Sequence, residues 1–263
     1  METLIMSAPN GARKTKSDHP ALPLTISETV AAAKSVHEAG AAMLHAHVRD
    51  DNYTHTLDHG LYHELLAEMA MQCPMMPCQI TTEAVGKFSP QEQHDCLMKT
   101  HPQYASIAVR EISAENLDFA VKTYSEAHEA QIHIQHILYN INDLALLREI
   151  FSKPQLKSRK PDVLYVLGKY SPDFTSHPDE LAPLLEADLG FVHSWMVCAF
   201  GPREFDIMVK AAQHGGHARI GFENNLYLKD GTVAPDNAAL IKQFSDQVTP
   251  AQSPSGIFNL YEA

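Results

Sequence analysis

The stretch Ala42-Met43-Leu44-His45-Ala46-His47-Val48-Arg49-Asp50 decides how this chain is read. It begins as an apolar, β-rich run and ends in strict alternation. Successive strand side chains point to opposite faces, so His45, His47 and Arg49 share one side while Leu44, Ala46 and Val48 share the other. An apolar face of that kind packs under helices. Seven further runs of the same type flank this one, giving predicted strands over 4–8, 42–48, 78–83, 105–109, 132–138, 163–167, 191–197 and 218–223. Helical stretches fill the gaps, the pattern of successive βα units on a parallel sheet. No GxGxxG follows the first strand and no unit is missing, which favours a closed (β/α)₈ TIM barrel over an open doubly wound sheet. The whole chain, 1–263, reads as one barrel domain, with 249–263 a C-terminal tail that packs on a neighbour or frays.

Punctuation residues support the division into units. Ser27 is the expected N-cap of the first helix, which closes at Gly40, and Gly215 and Gly216 close the helix before the last strand. Pro90, Pro178 and Pro235 stand where helices should begin. The basic connection 152–161 reads as a solvated loop, and Met69, Met71, Met75 and Met76 read as packing.

With 263 residues, 44% hydrophobic and 20% charged, the composition is that of an ordinary globular protein. The net charge of −12 repels nucleic acid and anionic membrane surfaces. No run approaches the roughly 18–20 apolar residues of a membrane span, and Met1-Glu2-Thr3 lacks the basic start of a signal peptide, so a cytoplasmic protein is expected. The cysteines, at 73, 78, 96 and 198, show no CxxC spacing. Neither a thiolate zinc site nor a disulfide framework is suggested, and reduced, packed thiols are expected.

Because the apolar side of the second strand faces the helices, His45 and His47 face the barrel interior at its C-terminal end, where active sites of this fold are built. Two imidazoles so placed can grip one Zn²⁺ at about 2.0–2.1 Å each, given a third ligand. Arg219-Ile220-Gly221-Phe222-Glu223-Asn224-Asn225 supplies it by the same alternation. Ile220 and Phe222 point out; Arg219 and Glu223 point in. The second and eighth strands both flank the first, so Glu223 can complete a His₂Glu set whose fourth position stays open, the arrangement of a catalytic zinc. The competing reading is a buried ion pair of Arg219 or Arg49 with Glu223. Alternation also turns Ser7, Gln79, Thr81, Glu83, Ser106, Arg110, His133 and Gln135 inward, and places the Pro9-Asn10-Gly11 turn with Arg13, Lys14 and Lys16 on the top face. A top this polar should hold a polar ligand. The remaining histidines read as ordinary structural or surface residues.

These residues resemble the β-keto acid cleavage enzymes, the family that includes 3-keto-5-aminohexanoate cleavage enzyme. The marks are Ala8-Pro9-Asn10-Gly11-Ala12 with His19-Pro20-Ala21-Leu22-Pro23, the His45 to Asp50 run, and Gly215-Gly216-His217 continuing to Leu226-Tyr227. The resemblance implies a homotetrameric barrel with a divalent metal, usually zinc, on His45, His47 and Glu223. It implies the conversion of a β-keto acid plus acetyl-CoA to acetoacetate plus an acyl-CoA. By resemblance, Arg219 assists the acyl transfer, Thr81 binds the substrate carboxylate and Ser106 offers a second hydroxyl contact. Asn10, Arg13, Arg49 and Arg110 are further substrate-binding candidates.

Some positions depart from the family pattern. Asn224 stands where well-known members carry an aspartate base, and an amide cannot accept a proton at neutral pH. Glu83-Ala84 replaces a glycine pair, Arg13 replaces an acidic residue, and Arg110-Glu111 fills a segment usually small and polar. Glu83 is therefore the expected replacement base or the partner of a cationic substrate group, and Arg110 the partner of an anionic one. Two other functions remain open at this point. One is an amidohydrolase-like zinc hydrolase, which also uses HxH on a barrel; the other is a non-catalytic paralogue that binds a keto acid through its metal.

Overall fold

Eight short strands, β1 (Ile5–Ser7), β2 (Met43–Ala46), β3 (Cys78–Thr81), β4 (Tyr104–Ala108), β5 (His133–Leu138), β6 (Asp162–Leu167), β7 (Trp195–Ala199) and β8 (His217–Ile220), pair in parallel and in order, and β8 returns to β1. This computed structural model describes residues 2–169, 173 and 175–258. Around the barrel run α1 (Ile26–Glu38), α2 (His59–Gln72), α3 (Pro90–Thr100), α4 (Val109–Ile112), α5 (Leu117–Glu129), α6 (Ile141–Phe151), α7 (Ala182–Leu185), α8 (Glu204–Gln213) and α9 (Asn237–Ser245). A polar residue caps every long helix except α8, and so marks where it starts. Thr25 and Ser89 form capping boxes with Glu28 and Glu92, and Asp58, Asn116, Asn140 and Asp236 accept from the backbone amides of their first turns. Thr25, not Ser27, caps α1, because its hydroxyl meets a glutamate three residues on. Pro90 opens α3 as expected, whereas Pro235 stands outside α9, whose cap is Asp236.

Strand alternation sorts the core into two clusters. Ile5, Leu44, Ala46, Ile80, Ala105 and Ile107 pack outward under the helices. Leu4, Met6, Met43, Leu164, Met196 and Cys198 are among those filling the barrel. Ser7 follows Met6 and so takes the outward side, against the expectation that it faces in. All the strands but β4 and β6 are also shorter than the sequence suggests. His47, Glu83 and Glu223 lie just beyond their strand ends and are placed by turns, and Arg110 falls in α4, where strand alternation no longer applies.

The described part of the tail makes contacts with this chain's own barrel. Thr3 donates to the Thr249 carbonyl at 2.8 Å and accepts from Ala251 at 3.0 Å. Phe258, 3% exposed, closes the N-terminal end of the barrel, stacked on His133 with centroids 4.7 Å apart. The last tail residues, 259–263, lie outside the described residues. At the same end Gly216 leaves room for the Trp195 ring, since a Cβ there would sit 2.4 Å from it. Met69 and Met76 are buried, but Met71 and Met75 are more than 70% exposed and do not pack. All four cysteines are free and buried. Among the described residues no helix is long and apolar enough to cross a membrane.

Candidate metal centre and active site

At the C-terminal end of the barrel three ligand atoms converge. Glu223 Oε2 lies 3.6 Å from His45 Nε2 and 3.7 Å from His47 Nε2. Each of the three atoms is buried with no hydrogen-bond partner. A buried polar atom left unpaired is costly, so three aimed at one point call for an occupant. All lie within 4.8 Å of one another, among the described residues the one His/Cys/Asp/Glu cluster of this kind. A tetrahedral ion at about 2.0–2.1 Å would space its ligands about 3.3 Å apart, so the set fits a divalent cation with little movement.

The chain prepares these atoms through their neighbours. His45 Nδ1 meets Gln79 Oε1 at 2.8 Å, and the Gln79 amide is in turn oriented by donating to Gln135. His47 Nδ1 lies 3.4 Å from His55 Nδ1, whose other nitrogen lies 3.0 Å from the Glu83 carbonyl. Burial, then Arg219, pushes His45 well below the imidazole range. His55 falls to about 4 through burial and, secondarily, His47. Both rings are therefore neutral, and a neutral ring is the ligating form of His45. For Glu223 burial favours the neutral acid, but Arg219, His45 and His47 outweigh it and hold the carboxyl well below its usual range.

Glu223 arrives by a turn rather than by strand alternation. Gly221, at φ +154, brings the chain against β1 so closely that a Cβ would lie 2.3 Å from the Ala8 carbonyl. The Glu223 amide then donates to Ala8 O at 3.1 Å, and Asn237 accepts from the Phe222 amide at 2.8 Å. Behind the turn sits Glu204, fully buried, accepting from Gly221 and Asn225. His47 is clasped by Asn10, which donates to its carbonyl at 2.9 Å and accepts from its amide at 3.3 Å.

The other expected site residues are spread between the ligands, the cleft and the surrounding turns. Thr81, Glu83 and Arg219 line the small cavity directly beneath the ligands. Arg219 Nη2 donates to Glu223 Oε1 at 3.0 Å and to Cys198 at 3.4 Å, leaving Nε and Nη1 unpaired. Asn10, Arg13, Glu83 and Asn224 border a wider cleft of about 390 Å³ above it. Both amide atoms of Asn224 are buried and unpartnered. The Ser106 hydroxyl is likewise buried without a partner, while Arg13 is exposed at the rim. Arg49 spends its guanidinium on the carbonyls of Gly11, Lys14 and Tyr53, tying the turns above β1 and β2 together. Arg110 is held by Asp143 at 2.7 Å and stacked over Tyr139, which lines the small cavity.

Two participants carry no sequence signal. Lys169, just past β6, donates to Glu83 and borders both cavities. Its charge overcomes the burial that would neutralise Glu83 and keeps that carboxyl below its usual range. His55, read as an ordinary histidine, reaches His47 because the chain doubles back in an antiparallel bridge between Arg49 and His55. The sequence offers only a further histidine eight positions on. A larger cavity, about 960 Å³, opens at the opposite end beside Arg159 and Lys160, but none of the three ligands borders it. The chemistry, not the cavity size, locates the site.

Comparison with known proteins agrees with the geometry. The chain is 26% identical over 260 residues to a 3-keto-5-aminohexanoate cleavage enzyme of Fusobacterium nucleatum, covering 92% of this chain and 90% of that one. It is 24% identical to a 3-oxoadipate:acetyl-CoA acetyltransferase of Cupriavidus necator, covering 91% and 86%. A solved ternary complex of ObcA with a C4-CoA adduct and oxalate shares the fold, with a TM-score of 0.69 at 15% identity over 87% of this chain. This chain spans 64% of that one. The sequence profile described as beta-keto acid cleavage enzyme matches residues 2–255, which leaves no place for the amidohydrolase reading, and the chain belongs to that family.

Proposed function

We propose that the protein is a zinc-dependent acyltransferase that converts a β-keto acid plus acetyl-CoA to acetoacetate plus a new acyl-CoA. The observation that carries this reading is the convergence of three unpartnered ligand atoms beneath a polar cleft, in a chain of this family. His45, His47 and Glu223 hold the ion, which when bound supplies Lewis acidity that polarises the keto carbonyl and makes the adjacent carbon more acidic. The donor set also accepts other divalent ions.

The protein's own groups do the rest. The Thr81 hydroxyl binds the substrate carboxylate, with Ser106 as a second hydroxyl below it. Glu83, ionised beside Lys169, takes the proton from the carbon between carboxylate and ketone. That carbon attacks the acetyl carbonyl, and the CoA thiolate leaves. The thiolate adds to the original keto carbonyl, and the bond to the former α-carbon breaks. Acyl-CoA and the acetoacetate enolate result, and Glu83 returns its proton to the latter. Arg219 has two unpaired donor groups, Nε and Nη1, to offer the oxygen that gains charge in each addition, the acetyl oxygen in the first and the keto oxygen in the second. Asn224 offers hydrogen bonds from the wall of the cleft, and Arg13 meets anionic groups at the rim. Asn10 and Arg49 serve binding indirectly, by holding the turns that carry His47 and Gly11.

A second reading, a metal-dependent keto-acid binder without turnover, is favoured by the amide at Asn224 and by the grip of Lys169 on Glu83. Both are tested on protein purified without chelator. Metal content should be about one zinc per chain and be lost in His45→Ala. Acetyl-CoA with a panel of β-keto acids should release free acetoacetate. A wild type without metal, even after zinc is supplied, sinks the Lewis-acid reading; zinc without acetoacetate leaves the binder.

A further inference from the structure

We propose that His55 is a positioning residue that sets the tautomer of His47 and so makes His47 a metal ligand. The argument follows the protons. His55 Nε2 faces the Glu83 carbonyl oxygen at 3.0 Å, and a carbonyl can only accept, so that nitrogen carries the hydrogen. A neutral imidazole has a single N–H, which leaves His55 Nδ1 bare. That bare nitrogen lies 3.4 Å from His47 Nδ1, and the contact is a hydrogen bond only if His47 Nδ1 donates. A neutral His47 then has no proton on Nε2, the atom that lies 3.7 Å from Glu223 Oε2 and 4.0 Å from Glu83 Oε2 and has no hydrogen-bond partner. With both rings neutral, every other assignment sets two donors or two acceptors face to face along the chain Glu83–His55–His47.

Burial makes the constraint effective. His55 is 2% exposed, its ring 4.9 Å from that of His47 and 5.9 Å from that of Phe88, so solvent cannot substitute for it. His45 needs no such relay, because the Gln79 amide oxygen is an acceptor in any state. The two histidine ligands thus differ: the competence of His47 depends on the backbone of Glu83, relayed through His55. Outer partners of this kind are worth about 10–100-fold in metal affinity.

The inference rests on the metal reading of the site, and its test uses zinc affinity, measured at one neutral pH by competition with a chromophoric chelator. His55→Gln offers an amide oxygen to accept from His47 and an amide N–H to give to Glu83, at nearly the span of the imidazole. His55→Leu offers neither. The Leu variant should bind zinc about 10–100-fold more weakly than wild type, and the Gln variant should keep most of the affinity. Nitrogen-detected NMR of the metal-free wild type should find the His47 proton on Nδ1, a readout that stands even if the Leu variant does not fold. Wild-type affinity in the Leu variant, equal losses in Gln and Leu, or a His47 proton on Nε2 would overturn the proposal. A wild type that takes up no zinc is a different failure, that of the metal reading itself.

Discussion

At the scale of single residues, the site depends as much on a missing side chain as on those present. Gly11 has φ +65, and a Cβ there would lie 2.5 Å from Glu223 Cγ and 3.2 Å from its Cα. Gly11→Ala should therefore displace the carboxylate ligand. The expected outcome is a zinc affinity well below wild type in chelator competition, with a backbone cost of about 1–3 kcal/mol in unfolding experiments. Glu83→Gln keeps the shape of the side chain and removes its capacity to take a proton. Turnover should fall about 10²–10⁴-fold while zinc content stays at the wild-type level; near-normal acetoacetate release would remove Glu83 from the proton transfer. His45 and His47 were legible in the sequence because a two-residue alternation shows itself locally. His55 and Lys169 were not, since a turn and a distant strand end bring them in.

At the scale of elements, the two ends of the barrel do separate jobs. Phe258 plugs the end away from the metal ligands, so Phe258→Ala should cost about 3–5 kcal/mol in urea unfolding yet leave zinc binding intact. The turn after β8 carries its own pH dependence through Glu204. Burial pushes this carboxyl up to about 8, against the opposing bonds from Asn225 and Gly221, whereas the ordinary value is 4.5. Between those values the folded chain keeps a proton that the unfolded chain has released. Stability from this group therefore falls as pH rises through that window, by at most about 1.4 kcal/mol per pH unit. Urea unfolding from pH 5 to 8 should show the slope in wild type and a flatter one in Glu204→Gln; equal slopes would show that Glu204 ionises freely in the fold. Alternation predicted which residues face in along each strand, but it failed for Ser7 and could not reach Arg110, because it says nothing of where a strand stops.

At the scale of the whole molecule, a closed sheet makes the site a meeting place of distant segments. Glu223 and His45 are 178 positions apart, and β1, paired with both β2 and β8, brings them together. An ion that binds there binds the folded chain alone. Stripping the metal with a chelator should lower the thermal midpoint, and returning zinc to about 100 times its dissociation constant should restore about 2.7 kcal/mol. A midpoint indifferent to both treatments would mean that no such ion joins these segments. The family resemblance further leads us to expect a homotetramer, which light scattering on the purified protein checks.

What the sequence by itself determined was the repetition of βα units, the inward side of the strands other than β1, and His45, His47 and Glu223 as a candidate ligand set. These are carried by local periodicity and by composition, which neighbouring residues share. What only the tertiary structure decided was how those residues are held: the turn that delivers Glu223 past Gly221, the Lys169 contact on Glu83, the Arg49 clasp, and the His55 relay behind His47. Each joins atoms far apart along the chain, or crosses a turn whose φ and hydrogen bonds depend on a neighbouring strand. Their positions follow from closure of the barrel, a global condition that no stretch of the sequence contains.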